Sequence, residues 1–385
     1  MHRHSSRIEL SRSALQTNID FIRSKIGDEA VISSVVKANA YGHGIQEFVP
    51  LAEQCGIRHF AVASSFEAEE VLGARTTNAD IMIMGILYPE DLDWVIEKEV
   101  EYFVYDYHRL ERSVNVAKKI GKKARIHLEL ETGGNRTGME HEKLDKAIDY
   151  IQSQSEHIEF EGVCTHYAGI ESLSNQFRIQ HQERLFNEMF EQITASGLRP
   201  NRKHTACSAA ALAFPETVMD LVRVGTAQYG LWPSPDIYNL HLMHENKASD
   251  APLKQVLSWK TDIMHLKEVS KNEFIGYGTA YQAPRDMEVA VIPLGYGNGY
   301  ARSLSNRGKV LIRGQEAPIV GSVNMNVFMA DVTDIDNVSL RDEVVLIGKQ
   351  ADKSITIKSF TEFSNAINNE FVSRLPEAIP RKIVE

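Results

Sequence analysis

The stretch HFAVASSFEAEEVLGARTTNADIMIMG, residues 59–85, shows the repeating unit of the N-terminal part of this chain. It contains the apolar run HFAVAS (59–64), the amphipathic segment SFEAEEVLGA and a second apolar run, IMIMG (81–85). Two short apolar runs joined by a helical segment predict two parallel β-strands connected by a helix.

Eight such apolar runs, separated by helical segments, lie between about residues 15 and 230. They are VISSVVKA (31–38), HFAVAS (59–64), IMIMG (81–85), EYFVYD (101–106), RIHLELE (125–131), FEGVCTHY (160–167), RKHTACS (202–208) and LVRVG (221–225). Eight strand–helix units predict a closed (β/α)8 barrel of the TIM type, and a doubly wound open sheet is the alternative.

The pattern changes after about residue 240. Runs such as LSWKTDIMHLKEV, EVAVIPLGY and DEVVLIG follow one another, with Gly, Asn and Asp between them and few helical segments. This pattern predicts a mostly antiparallel β domain. We therefore expect an α/β chain with a barrel at 11–240, a β domain at 241–385 that the N-terminal strand 1–10 joins, and a linker at 241–254.

Composition favours a globular protein of the cytoplasm. The 385 residues are 43% hydrophobic and 24% charged, and a net charge of −10 without a basic stripe argues against nucleic-acid binding. We expect no membrane span, because no run of about eighteen apolar residues occurs, and no secretory signal, because MHRHSSRIEL lacks an apolar middle. Three dispersed cysteines (Cys55, Cys164, Cys207) suit a reducing compartment and suggest neither disulfides nor a zinc site.

Charged and polar residues recur where the predicted strands end. In a (β/α)8 barrel these ends meet at one mouth, which is where active sites form. Each residue alone could be a helix cap, a solvated charge or a core histidine, but their joint occurrence favours a site. The residues are Lys37, Glu129, Glu131, Arg136, His166, Tyr167, His204, Cys207, Ser208, Arg223, Gly225 and Thr226.

Lys37 is the most informative of these residues. It ends an apolar run, where its charge is costly, and a lysine at a barrel mouth can form a Schiff base with a carbonyl cofactor such as pyridoxal phosphate. The stretches SAAAL (208–212) and VGTAQYG (224–230) offer small residues and backbone N–H groups that suit a phosphate.

Taken together, these motifs resemble the alanine racemase family of barrel-type pyridoxal-phosphate enzymes. The matching stretches are VVKANAYGHG, ETGGNRTG, THYAG, SAAAL, VRVGTAQYGLWPS, GYGTAY, VIPLGYGNGY and APIVGSVNM, in the family's order over nearly the whole chain. The resemblance implies a racemase that uses pyridoxal 5'-phosphate, acts on a small amino acid, and forms a homodimer with shared active sites.

The resemblance also implies roles for individual residues. Lys37 holds the cofactor and acts as one catalytic base, while Tyr277 of the partner subunit acts as the second base. The other cofactor contacts are Tyr41, His166, Ser208, Arg223, Gly225 and Thr226. The substrate contacts are Arg136 and, from the partner subunit, Met325 and Tyr296.

The chemistry of racemisation explains this pair of bases. A proton leaves one face of Cα and returns to the other, which two bases on opposite faces achieve directly. Lysine and tyrosine have ordinary pKa values of about 10, so each needs desolvation or nearby positive charge. Arg223 favours the tyrosinate, and because guanidinium keeps its proton, the ring nitrogen opposite Arg223 stays unprotonated and transamination is suppressed.

Two departures from the family pattern bear on the substrate. Relatives have a lysine, often carbamylated, at the position of Glu129, and we expect Glu129 to orient Arg136 by a charge-assisted hydrogen bond; an acid paired elsewhere is the alternative. Relatives have a tyrosine near the position of Asn369, or of Asn368 if the alignment shifts by one residue. Because an amide can pair with a hydroxyl, Asn369 predicts that serine is used alongside alanine.

Other departures leave the substrate range open. Asn326 removes a carboxylate beside Met325, Ser322 replaces an arginine at the pocket entrance, and Cys207 replaces an asparagine. A racemase of broader specificity is therefore an alternative. A barrel-type pyridoxal-phosphate decarboxylase or aldolase, a non-enzymatic cofactor carrier and an interaction module are further alternatives.

Overall fold

The computed structural model of the protein describes residues 4–245, 252–362 and 367–385. Two compact units make up the chain. The barrel unit comprises Leu15–Lys37 and Val49–Lys254. The β-sheet unit comprises the N-terminal residues up to Ala14, the short internal segment Ala38–Phe48, and Gln255–Glu385.

The described strands are, in chain order, β1 Ser6–Ser11, β2 Val31–Val35, β3 His59–Ser64, β4 Asp80–Ile86, β5 Glu101–Val104, β6 Ala124–Glu129, β7 Ile158–Cys164, β8 Arg202–His204, β9 Leu221–Val224, β10 Leu257–Asp262, β11 His265–Val269, β12 Met287–Ile292, β13 Lys309–Ile312, β14 Gln315–Val320, β15 Phe328–Asp331, β16 Glu343–Gln350, β17 Lys353–Ile355 and β18 Arg381–Val384. The right-handed α-helices are Arg12–Ile26, Ile45–Gln54, Ser65–Ala74, Leu92–Glu97, Tyr107–Ile120, His141–Ser153, Gln176–Ala195, Ser208–Ala213, Pro235–Glu245, Ile357–Thr361 and Asn368–Ser373.

Strands β2 to β9 form a parallel sheet in the order β8-β7-β6-β5-β4-β3-β2-β9. The two end strands meet through short contacts: the N–H of Asp220 donates to the carbonyl of Lys203 (3.1 Å), and the N–H of Arg223 donates to the carbonyl of Ala206 (3.0 Å). The sheet is therefore a nearly closed eight-stranded barrel. The predicted (β/α)8 architecture is confirmed, and the open-sheet alternative is wrong.

Two of the connecting helices begin at residues whose side chains cap them. The Ser64 side chain accepts the N–H of Glu67 at the start of Ser65–Ala74, and the Asp106 side chain accepts the N–H of Arg109 at the start of Tyr107–Ile120. Gly121, with φ of 77°, ends that second helix in the left-handed conformation that glycine adopts without strain. The two N-caps fix where the chain leaves β3 and β5 and turns into a helix.

The β-sheet unit is a mostly antiparallel sheet in the order β11-β12-β15-β14-β13-β16-β10-β1-β18, with β17 paired to β16. Strand β1 pairs antiparallel with β10 and parallel with β18. Its core contains fully buried Trp259, Tyr300 and Phe328, and the rings of Tyr300 and Phe328 stack with centroids 4.6 Å apart. Burying a side chain such as that of Phe328 contributes about 1.5–3 kcal/mol. The predicted antiparallel β architecture is thus confirmed.

The expected linker 241–254 is partly helical. Helix Pro235–Glu245 runs through its first five residues, and 246–251 lie outside the described residues. The stretch HLMHE contains neither glycine nor proline, so nothing in it stops the preceding helix.

Candidate active site

Four predicted site residues come together at one end of the barrel. Lys37 follows β2, Arg136 lies in the loop after β6, His166 follows β7, and Arg223 lies on β9. Burial, followed by the charges of Arg223, Arg136 and Lys37, lowers the pKa of His166 to about 3, so its imidazole is neutral at neutral pH. Three cations around one neutral imidazole form a site that attracts anions.

The amine of Lys37 is poised to react as a nucleophile. Its side chain is open to solvent at the mouth, but the surrounding walls remove part of its hydration. This partial burial lowers the pKa of Lys37, and repulsion from Arg136 and Arg223 lowers it further. A larger fraction of Lys37 is therefore the free amine than of an ordinary lysine, as Schiff-base chemistry requires.

The segment after Lys37 is a left-handed turn. Ala38, Asn39, Ala40 and Tyr41 have φ values of 52°, 52°, 52° and 51°, in a region that costs about 1–2 kcal/mol for each residue other than glycine. The Asn39 side chain accepts the N–H of Ile45 at 2.8 Å. Strain of this kind persists only where the surroundings hold it, and it concentrates at functional sites.

A side chain of the C-terminal strand holds this turn within the β-sheet unit. Arg381 donates to the carbonyl of Gly42 at 2.9 Å through Nη2. Through Nη1 it donates to the carbonyls of Pro376, Glu377 and Ile379 at 2.9, 2.7 and 2.5 Å. A single guanidinium therefore ties the turn that carries Tyr41 to the C-terminal strand.

Arg223 is held in a fixed orientation. It is 5% exposed and donates to the carbonyls of Thr165 (2.7 Å) and Thr205 (2.9 Å). Its Nη1 also donates to Nδ1 of His204 at 2.7 Å. These bonds use three of the five N–H groups of the guanidinium, and the thiol of Cys164 makes a further hydrogen bond with it.

Two further polar side chains extend this contact into the barrel interior. Nε2 of His204 lies 2.9 Å from Nδ1 of His127, and Nε2 of His127 lies 2.8 Å from a carboxylate oxygen of Glu101. Neither His127 nor Glu101 was among the site residues predicted from the sequence. A signal was present, because His127 precedes Glu129 by two residues on one strand and therefore faces the same side.

Glu129 lies in the wall of a cavity of about 200 Å³ that Arg136, Thr137 and His166 also line. Burial raises the pKa of Glu129, while a hydrogen bond with Thr137 and the charges of Arg223 and Arg136 oppose the rise. One carboxylate oxygen is buried without a hydrogen-bond partner, and the described residues contain no ion pair between Glu129 and Arg136. The influence of Glu129 on Arg136 in this structure is thus electrostatic rather than a direct bond.

Three predicted phosphate contacts lie on two neighbouring segments. The N–H of Gly225 donates to Oγ of Ser208 at 2.9 Å, and Thr226 begins the short turn Thr226–Tyr229. Because Oγ of Ser208 already accepts this bond, its hydroxyl hydrogen remains available as a donor. Beside it, burial raises the pKa of Cys207, which makes that thiol a poor nucleophile.

The remaining predicted residues belong to the β-sheet unit. Tyr277, Tyr296 and Met325 are 77, 45 and 57% exposed. Tyr296 and Met325 lie on two loops joined by backbone bonds, since Gly297 donates to the carbonyl of Met325 at 2.8 Å. Asn369 is half-buried in helix Asn368–Ser373. The three large side chains named first are therefore open to solvent in the single chain.

No helix within residues 4–245, 252–362 and 367–385 has the length and apolar character needed to cross a membrane. The same residues contain no group of three or more His, Cys, Asp or Glu side chains arranged to hold a metal ion.

Comparisons with known proteins agree with this geometry. The family model of the alanine racemase N-terminal domain matches residues 10–233, and that of the alanine racemase C-terminal domain matches 256–383. An alanine racemase of Halothermothrix orenii is 33% identical over 380 residues, which cover 97% of this chain and 95% of that protein.

Two solved structures show the same fold. The alanine racemase of Clostridium difficile 630 superposes with a TM-score of 0.90 at 26% identity, covering 100% of this chain and 97% of that one. The alanine racemase of Bartonella henselae, solved with covalently bound pyridoxal phosphate, superposes with a TM-score of 0.82 at 25% identity, covering 99% of this chain and 100% of that one. The strand-end lysine and its surrounding cations thus occur in a chain that belongs, over both of its parts, to the alanine racemase family.

Proposed function

We propose that this protein is a pyridoxal-phosphate-dependent racemase that interconverts L- and D-alanine. The observation that carries the proposal is the meeting of Lys37, Arg136, His166 and Arg223 at one barrel mouth, in a chain whose relatives are alanine racemases. The donor set fits the cofactor: Lys37 for its carbonyl, Ser208 with the Gly225–Thr226 backbone for its phosphate, and Arg223 for its ring nitrogen.

When bound, pyridoxal phosphate supplies a conjugated ring that withdraws electrons from the amino acid attached to it. The residues of this chain supply the proton transfers. Lys37, with its lowered pKa, takes a proton from one face of Cα or returns it there. Arg223 remains a cation and gives no proton to the ring nitrogen, which limits delocalisation of charge and keeps proton return at Cα. Arg136 holds the substrate carboxylate.

The second base is assigned to Tyr277 of the partner subunit. The exposure of this side chain, together with that of Tyr296 and Met325, supports a two-fold dimer in which each subunit completes the other's site. Mixing Lys37→Ala subunits with Tyr277→Phe subunits tests this arrangement. Activity should recover to about a quarter of wild type, because half of the mixed dimers are heterodimers with one intact site. No recovery, with heterodimers shown by differential tagging, would place both bases in one subunit.

The reaction itself is tested on the purified holoenzyme. Coupled detection of D-alanine formed from L-alanine should show turnover, and the protein should be yellow until borohydride fixes the cofactor on Lys37. Release of carbon dioxide without D-alanine would instead identify a decarboxylase. A colourless protein after addition of pyridoxal phosphate would remove both activities.

Serine is proposed as a second substrate because of Asn369. Its amide can pair with a substrate hydroxyl, and a half-buried position in helix Asn368–Ser373 limits the competing water. Comparable kcat/KM values for L-serine and L-alanine are expected, with Asn369→Tyr selectively lowering the value for serine. The same change at the neighbouring position, Asn368→Tyr, should leave the kcat/KM for serine unchanged; a selective loss there instead would assign the role to Asn368. Similar turnover of several larger amino acids would point to a racemase of broader specificity, and background turnover of serine would refute the serine assignment.

Glu129 is proposed to support Arg136 through the electrostatic field of the cavity. Glu129→Gln keeps the shape and removes the charge, so the KM for alanine should rise while the KM for the cofactor stays constant. Unchanged kinetics in Glu129→Ala would end this assignment. We also propose a cytoplasmic location, which suits three cysteines of which none forms a disulfide.

A further inference from the structure

A column of hydrogen-bonded polar side chains runs through the interior of the barrel. Interiors of this fold are usually packed with layers of apolar side chains. Here Arg223, His204, His127 and Glu101 are all buried and connected in series, at 2.7, 2.9 and 2.8 Å. Placing such groups inside a barrel is costly unless every donor meets an acceptor.

The column ends in a guanidinium on one side and a carboxylate on the other, and these two groups fix which ring nitrogen of each histidine carries the proton. A guanidinium has only donors, so Nδ1 of His204 must accept and its single proton must sit on Nε2. That Nε2–H then donates to Nδ1 of His127, whose own proton must sit on Nε2. The last N–H donates to the carboxylate of Glu101, which only accepts. Both ends therefore require the same order of protons.

Glu101 is built to remain ionised. Its burial alone would raise its pKa, but hydrogen bonds from His127 and His59 hold the pKa well below the usual range. Nε2 of His59 lies 3.0 Å from the carboxylate, and Arg125 and Arg202 bind the other oxygen at 2.9 and 3.1 Å. The column therefore ends in a permanent negative charge.

The two histidines inside the column remain neutral. Burial lowers the pKa of His127, and burial followed by the charge of Arg223 lowers that of His204 well below the usual range. A neutral imidazole that donates to a carboxylate is a stronger acceptor at its other nitrogen, as in metal sites where a carboxylate supports a histidine ligand. His204 thus offers Arg223 an acceptor stronger than an isolated imidazole.

We propose that Glu101 is a positioning residue for the reaction. Its carboxylate orients His127, His127 orients His204, and His204 fixes the orientation of Arg223 at the barrel mouth through this series of hydrogen bonds. The consequence for catalysis depends on the proposed function, in which Arg223 keeps the ring nitrogen unprotonated. If Arg223 is no longer held in this orientation, a smaller share of the protons returns to Cα. More turnovers then end as half-transamination, in which alanine transfers its amino group to the cofactor and, with one water, leaves as pyruvate.

A matched pair of variants separates this role from general stability. Glu101→Gln keeps the shape and removes the charge. Glu161→Gln makes the same change at another buried carboxylate, which binds Arg125 at 2.6 Å and Asn201 at 3.1 Å. Within the described part of the chain Glu161 makes no hydrogen bond to a histidine, so it lies outside the column.

The first measurement is made on the wild-type protein, and variants serve only to assign its signals. Side-chain ¹⁵N NMR of histidine-labelled wild-type protein should show two neutral Nε2–H imidazoles, assigned by their loss in His127→Gln and His204→Gln. An Nδ1–H or a charged imidazole at either position would overturn the proposal, whether or not the protein racemises alanine.

The second measurement counts pyridoxamine phosphate formed for each D-alanine formed by the holoenzyme. The ratio should rise about tenfold in Glu101→Gln and stay at the wild-type value in Glu161→Gln, with both variants folded by circular dichroism. An equal effect in the two variants, or none in Glu101→Gln while racemisation persists, would overturn the positioning role and leave the racemase assignment intact. If Glu101→Gln fails to fold, the NMR result decides.

Discussion

Replacing Gly42 with alanine tests how the left-handed turn after Lys37 is held. Gly42 has φ of 76°, and a Cβ built there would lie 2.7 Å from the carbonyl carbon of Val372 and closer still to its oxygen. An alanine in this backbone conformation costs about 1–2 kcal/mol, and forcing a methyl into filled space costs about 1–3 kcal/mol more. We expect Gly42→Ala to lower the free energy of unfolding of the β-sheet unit by about 2–5 kcal/mol.

Trp259 provides the signal for this experiment. It is fully buried in the core of the β-sheet unit, so its emission reports unfolding of that unit. The other two tryptophans are removed by Trp94→Phe and Trp232→Phe. In this background, urea titration of the cofactor-free protein gives the free energy of unfolding of the β-sheet unit, once with Gly42 and once with Gly42→Ala.

Gly278→Ala is the matched control for stability. Gly278 belongs to the same unit and has φ of 68°, but a Cβ there meets nothing within 4 Å. It should therefore show the conformational cost alone, about 1–2 kcal/mol. If Gly42→Ala destabilises the unit no more than Gly278→Ala does, close packing against Val372 does not hold the turn, and the reasoning is wrong.

Three further perturbations test the site. The cofactor-free protein should take up pyridoxal phosphate at lower pH than an ordinary lysine allows, because partial burial and Arg136 lower the pKa of Lys37. Stopped-flow absorbance gives the rate of uptake against pH, and Arg136→Gln should move this pH profile to higher pH. An unmoved pH profile would exclude an effect of Arg136 on the pKa of Lys37. Burial raises the pKa of the Glu129 carboxyl in the folded state, so its ionisation costs stability as pH rises. Glu129→Gln should therefore have a higher free energy of unfolding than wild type, and the difference should grow above about pH 4. A difference that stays constant from acid to neutral pH in urea titrations would contradict this. Arg381→Lys should weaken cofactor binding and lower the free energy of unfolding by about 1–3 kcal/mol, since one ammonium cannot bind all the carbonyls that the guanidinium joins. Equilibrium dialysis measures the first effect and urea unfolding the second. Lys382→Ala, at the exposed neighbouring position, should match wild type in both.

Most of the barrel could be predicted from the sequence because its strands are short apolar runs and its helices are amphipathic. The run 59–64 became β3 and the run 221–225 became β9, each with the expected helical neighbour. The (β/α)8 choice over an open sheet was harder, because closure depends on a few backbone bonds near Asp220 and Arg223 that carry no sequence signature.

The left-handed turn could not be predicted. Ala38, Asn39, Ala40 and Tyr41 are ordinary residues for a right-handed helix or a loop, and nothing in them demands positive φ. Their conformation depends on distant groups, among them the side chain of Arg381. Local propensity cannot reveal a conformation imposed by residues so far along the chain.

Prediction of the candidate site was uneven for a related reason. Strand-end positions drew attention to Lys37, Arg136 and Arg223, because side chains at the ends of parallel strands share one edge. Residues inside the strands, such as His127 and Glu101, were missed because an apolar run is interpreted as core. A histidine or acid within such a run has to be examined for its partner on the neighbouring strand.

The grouping of Ala38–Phe48 with Gln255–Glu385 has a consequence for recombination between relatives. A chimaera cut once near residue 250 would combine a C-terminal region from one parent with a turn from the other. Gly42 would then face a foreign Val372 equivalent and a foreign arginine. Exchanges that move 38–48 together with the C-terminal region should therefore yield active hybrids more often than single crossovers do.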